Sequence, residues 1–291
     1  MIGHLPETQF QGQNVVNNLP SKVRSDYDST GKYFKHLASD VSDLKKTLAL
    51  PGGDEILNAV DEATGDTLLH IIAEGTPREF TFAVAPYLTD KRVAAQNHQG
   101  NTVLHNHIKF IGNKECWHQT MDVYLKHSDG GATLSKKNNE GETALARFYI
   151  YQPWDPYVQR PSVTEMLLKK GLPNLDFNAP CANGLTVLTL AISENRYDDA
   201  ITLLNNGASP VFLGEDQTKS AEYVLKAKQQ QISERIAASS EVEEIFKGSS
   251  PCITKEMKEK LAHPEAFQKA LDKLNLIEDK INNFTDLNFT F

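Results

Sequence analysis

Four short stretches of the chain repeat one pattern, Gly-x-Thr-x-Leu. They are Gly65-Asp66-Thr67-Leu68-Leu69-His70, Gly100-Asn101-Thr102-Val103-Leu104-His105, Gly141-Glu142-Thr143-Ala144-Leu145 and Gly184-Leu185-Thr186-Val187-Leu188. The glycines stand 35, 41 and 43 residues apart. Self-similarity at such a period marks a chain of stacked units, each unable to bury its apolar face alone. The residue types have physical reasons. Gly supplies positive φ in a tight turn, and Thr two positions later can N-cap a helix. The next residue then opens that helix, and the Leu after it (69, 104, 145 and 188) packs inward against the neighbouring unit.

A second helix should close each unit. Thr164-Glu-Met-Leu-Leu-Lys-Lys-Gly171 and Asp199-Ala-Ile-Thr-Leu-Leu-Asn-Asn-Gly207 both carry paired Leu before a Gly, which is a C′ signal. Phe80–Leu88 and Met121–Leu125 are weaker versions, and Pro86 should kink the first.

These segments resemble the T-P-L-H-x-A signature of ankyrin repeats, whose period is about 33 residues. They depart from it at Leu68, Val103, Ala144 and Val187, where the family favours Pro at the first helical position. In the family the motif His bridges neighbouring repeats by hydrogen bonds, and only His70 and His105 keep it. The resemblance implies an all-α fold, a solenoid of helix-turn-helix units with short β-hairpin-like loops, extended by C-terminal helices.

The expected organisation is a polar N-terminal arm over 1–30, a repeat domain over 31–228 and a helical extension over 229–291. Gly31-Lys-Tyr-Phe-Lys-His36 lies 34 residues before Gly65, with His36 in register with His70, so 31–60 reads as a degenerate capping repeat. Lys32 and Lys35 suit its outer face. A second degenerate unit lies near 215–228, with Ser220 as N-cap and Ala221, Leu225, Ile232 and Ile236 along one helix face. In the last segment Phe267, Leu271, Leu274, Ile277, Ile281 and Phe284 recur at spacings of three and four, predicting an amphipathic helix of about five turns. It reads as a cap folding back on the last repeat, or as a separate partner-binding helix.

A net charge of −8 without a basic run speaks against binding nucleic acid. No apolar stretch of 18 residues exists, so no membrane insertion is expected, and the first residues lack the cationic and apolar segments of a signal peptide. With three cysteines, a disulfide framework is not expected and the reducing cytoplasm is the expected compartment.

Candidate binding residues lie where the period overruns. The unit after Gly141 exceeds the family period by about ten residues, and its excess carries Tyr151, Trp154, Tyr157 and Arg160 among prolines. Aromatic rings with Arg have the composition of an interface hot spot, although such rings can equally anchor their own loop. Ser162 and Glu165 then form a capping box. The unit before it also overruns, around Trp117, a residue that alternatively lines a core face with Met121 and Tyr124 if Asn113 caps a longer helix. In the family the hairpin tips and first-helix face form a groove for protein partners, and the tips here include His98, Gln99, Asn101, Asn139, Glu140, Glu142 and Asn183.

His105, His107, Cys116 and His118 have zinc-ligand chemistry but match no strong ligand spacing. No protease, P-loop or dinucleotide motif appears, and none of Cys116, Cys181 and Cys252 sits in a nucleophile signature. No catalytic residue, metal or cofactor is assigned. The expectation is a non-catalytic scaffold or adaptor binding a protein, with a monomer favoured. The irregular periods and helical tail resemble in style the ankyrin effectors that intracellular bacteria deliver into host cytosol. A resident eukaryotic adaptor, or an enzyme with a cryptic cysteine-type site where the repeats meet the C-terminal helices, are the rival readings.

Overall fold

In a computed structural model, the described residues are 30–109, 117–151, 162–181, 184–211, 216, 218, 220–247 and 264–288. They are helical, and among them the only β pairing is three isolated bridges, Val60 with Thr67, Gln96 with Thr102 and Lys137 with Thr143. None of their helices is long and apolar enough to cross a membrane. The chain divides into two compact units, Met1–Arg147 with Pro173–Asp176, and Phe148–Leu172 with Phe177–Phe291.

The first unit contains α1 (Thr30–Leu37), α2 (Val41–Leu48), α3 (Leu68–Ala73), α4 (Arg78–Val84), α5 (Asp90–Val93), α6 (Val103–Lys109) and α7 (Trp117–Leu125). α8 (Ala144–Ile150) begins at its end. The helices pair as layers, α1–α2 and α3–α4, and α6–α7, where His107 meets Thr120 and the Tyr124 ring. First helices stack on first helices (α1 on α3, α3 on α6) and second on second (α2 on α4, α4 on α7). Leu68, Leu69, Ile72, Leu104 and Ile108 of the first helices, and Leu44, Val84, Met121 and Tyr124 of the second helices, are all fully or almost fully buried.

The motif works as its chemistry requires. Gly65, Gly100, Gly141 and Gly184 have φ of 73°, 74°, 78° and 77°, and each following helix opens on the residue after the Thr. Thr143 Oγ1 accepts the Ala146 N–H at 3.1 Å and Thr186 Oγ1 that of Thr189 at 3.3 Å. α4 stops at Val84, and Ala85–Tyr87 continue as a tighter turn around Pro86.

The first layer departs from the expected register. Gly31 lies inside α1 and is no turn residue. A Cβ there would sit 2.7–3.0 Å from the Asp61 carboxylate, so this glycine makes room for a neighbour's side chain. Phe34 and Leu37 are the fully buried residues of α1, while His36 is half-buried and hydrogen-bonds Asp43 Oδ2 at 3.2 Å.

The second unit holds α9 (Val163–Lys169), α10 (Val187–Ser193), α11 (Tyr197–Asn205), α12 (Ala221–Lys247) and α13 (Pro264–Asn288). α11 ends in a Schellman motif: Gly207, at φ 85°, donates to Leu204 O and Ala208 to Leu203 O. Ser220 caps α12 by accepting the Tyr223 N–H at 3.1 Å. α12 runs through residue 228 without a break and buries Ala221, Leu225 and Ile232. α13 spans 25 residues, about seven turns, longer than the expected five. Pro264 suits its first position, and residues 264–266 and 285–288 extend it beyond the apolar stripe of 267–284.

α13 packs on both α11 and α12, with Leu274, Ile277 and Ile281 buried. Its Lys273 reaches Asp198 and its Lys280 reaches Asn205, so α13 runs parallel to α11. Gln229 meets Asn275 and Glu278 while Arg235 stacks on Phe267, so it runs antiparallel to α12. Since α12 also packs on α10, α12 and α13 stand to α10 and α11 as one layer of the first unit stands to the next. The extension is therefore one more helix pair, whose second helix is contributed by residues 264–288.

Candidate protein-recognition surface

In the first unit the loops preceding α3, α6 and α8 are tight hairpin tips laid on one another. The His98 N–H donates to Thr64 O at 3.0 Å and the Asn139 N–H to Gln99 O at 2.9 Å. Such approach leaves no room for a side chain on the glycine beneath: a Cβ on Gly65 would lie 2.6 Å from His98 N, and one on Gly100 2.8 Å from Asn139 N. Each tip is also held from within. Asn97 Oδ1 accepts the N–H groups of Gln99 and Asn101, both at 3.0 Å, and Asn138 Oδ1 those of Glu140 and Glu142 at 3.0 and 2.9 Å.

Two histidines tie consecutive layers. His70 Nδ1 accepts from the Thr67 N–H at 3.2 Å and from its hydroxyl at 2.9 Å, while Nε2–H donates to Asn101 O at 2.9 Å. His105 repeats this with Thr102 and with Glu142 O at 3.1 Å. Both rings are therefore neutral Nε2–H tautomers. Burial pushes His70 below the usual histidine range and His105 down to about 4, outweighing the carbonyls that favour a charged ring. After Gly141, Ala146 occupies the His position, and the next residue takes over: Arg147 donates to His105 O (3.1 Å), Asn101 Oδ1 (3.1 Å) and Glu142 Oε2 (3.0 Å) while 5% exposed.

These contacts sort the expected tip residues. His98, Gln99, Asn139 and Glu140 are exposed, although the Asn139 carboxamide donates to His98 O and Gln99 Oε1 accepts from Asn101. Asn101 is 7% exposed and bonds Arg147 and Asn138. Glu142 is mostly covered and salt-bridged to Arg147. These two build the stack. Asn183 lies outside the described residues.

Of the aromatic candidates, Tyr151 is exposed at 39%. Trp154, Tyr157 and Arg160 lie outside the described residues, as do Asn113, Cys116 and Cys252. Trp117 opens α7, and only its backbone is described. The chain on either side of 152–161 is clamped by one buried cluster within the second unit. Asp199 accepts from Ser162 Oγ (2.5 Å), Thr164 N (2.9 Å) and Arg196 Nε (2.9 Å), and Arg196 also donates to Phe148 O (2.9 Å). The guanidinium lies 5.4 Å from the Tyr149 ring centre, and the Tyr149 hydroxyl pairs with Thr164 at 2.9 Å. Burial raises the Tyr149 pKa well above the usual phenol range. Ser162 caps α9 through Glu165 N at 3.0 Å, which is the backbone half of the expected capping box.

Two of the zinc candidates, His105 and His107, are hydrogen-bonded within the described residues. Both His105 nitrogens are bonded, and His107 Nε2 meets Thr120 Oγ1 at 3.1 Å. Buried Cys181 donates its thiol to Leu185 O at 2.7 Å.

The tip-holding asparagines carried a readable signal, an Asn three residues before Gly100 and Gly141. Arg147 and the Arg196–Asp199 pair carried none, because the partners they reach in other helices and loops are 35–48 residues away along the chain. No protein-family model matches the chain, and no curated protein is significantly similar in sequence.

Proposed function

We propose that this chain is an ankyrin-type repeat protein that recognises another protein through its stacked hairpin tips, acting as a scaffold or adaptor without catalysis, metal or cofactor. One observation carries the reading. Backbone bonds between tips hold them rigid, while the side chains of His98, Gln99, Asn139 and Glu140 remain exposed. A pre-ordered polar surface binds with little ordering cost, which is what a recognition loop requires. The helix pairs α3–α4 and α6–α7, with the positive-φ Gly and capping Thr before each first helix, support the ankyrin assignment. The setting that fits is the cytosol, of a host cell if the protein is a delivered effector.

The test is affinity capture from cytosolic lysate with the full chain and with a His98→Ala/Gln99→Ala/Glu140→Ala variant, whose melting temperature should stay within a few degrees of wild type. Loss of the captured partner in the variant supports the reading. Equal capture by both removes the tips as the recognition surface.

A further inference from the structure

We infer that His70 and His105 form a pair of acid-released latches, so that the hairpin stack of the first unit is tight near neutral pH and loosens in a mildly acidic compartment. Each ring already donates from Nε2 to the carbonyl of the next layer, Asn101 O or Glu142 O, and each Nδ1 faces the N–H of its own capping threonine. A proton added to Nδ1 would point a donor at a donor, breaking the capping box of α3 or α6.

The surroundings do not rescue a charged ring. Around His70 stand the Asn101 and Ala95 carbonyls and the Asp66 carboxylate, but Asp66 is taken by Asn97 Nδ2 at 2.7 Å. Around His105 stand the Glu142 carbonyl, the Arg147 guanidinium and His70 itself, and the Glu142 carboxylate is taken by Arg147 Nε at 3.0 Å. Arg147 repels an imidazolium at His105, and the two histidines repel each other when charged. Desolvation is the largest cause of the depressed affinity at both.

The sign follows from linkage. A base whose folded-state pKa lies below its unfolded value of about 6.5 contributes stability that is complete above that value. The contribution falls as pH drops through the window between unfolded and folded values, which for His105 ends at about 4. Within it each latch costs up to roughly tenfold in the closed-to-open ratio per pH unit, and the two together up to roughly a hundredfold. Ordinary carboxylates begin to titrate only in the lower part of that window.

The experiment is amide hydrogen exchange of the full chain at pH 7.0, 6.0 and 5.0, corrected for intrinsic rate, read on peptides spanning 64–72, 97–107 and 139–146. A His70→Gln/His105→Gln variant is the comparison, because Gln at this position can still accept from the cap N–H yet never charges. Wild-type protection should fall by at least tenfold from pH 6 to pH 5, and the variant's should stay level. Equal slopes in both proteins would overturn the proposal. If the variant fails to fold, the wild type alone decides through an NMR titration of its histidine rings. Two of the nine resonances should resist protonation until the stack opens. All nine titrating near the ordinary value with the fold intact would overturn it.

Discussion

At the scale of single residues, Gly65 and Gly100 serve two demands of which only one is local. Positive φ is readable from a Gly placed before a helix-capping Thr. The second demand, that the next tip's backbone lies directly on the glycine, appears only once the tips are stacked. Gly100→Ala should therefore cost more than the roughly 1–2 kcal/mol of a left-handed non-glycine residue, because its Cβ would meet Asn139 N at 2.8 Å. The shift in urea midpoint measures this, and a loss below 1 kcal/mol would mean the tips part easily. Asp199 belongs to the same scale. It is 6% exposed and binds Arg196, Ser162 and Thr164 at once. Asp199→Ala leaves Arg196 buried without its counter-charge, an effect of about 3–5 kcal/mol, whereas replacing both partners by apolar residues should recover much of the loss. Urea denaturation of the single and double variants compares the two outcomes.

At the scale of elements, the helix starts were legible because their signals sit within a few residues. Thr67, Thr102, Thr143, Thr186, Ser162 and Ser220 all precede helices at the expected position. Thr186→Ala should lower stability by about 1 kcal/mol, the usual worth of such a cap, measured as a shift in thermal midpoint. Register was harder to read where the local signal was ambiguous. Gly31 matches the motif glycine in spacing, yet its role is to accommodate Asp61, a residue 30 positions on. The stripe on α13 was legible, but not that α13 completes a layer with α12, since that depends on which helices it lies against. Ile277 is fully buried there. Ile277→Ala should cost about 2–5 kcal/mol and lower hydrogen-exchange protection in α11 and α12 together. Protection lost in α13 alone would show that the helix is not part of the layer.

At the scale of the whole molecule, two compact units are each built of helix pairs. Within each unit, buried apolar residues occur in every helix pair. The candidate surface was legible in part. Exposed His98, Gln99, Asn139 and Glu140 follow from their place at turn tips, while Asn101 and Glu142, equally polar and equally close to the motif glycines, are drawn inward by Arg147. Only three-dimensional neighbours distinguish the two sets. The most direct measurement is site-specific photo-crosslinking in lysate, with a photoreactive residue at Gln99 or Glu140, and at exposed Phe82 on α4 and Leu276 on α13 as controls. Adducts to one protein from Gln99 and Glu140, absent from Phe82 and Leu276, are predicted. Adducts from Phe82 or Leu276 with none from the tips would contradict recognition through the hairpin stack.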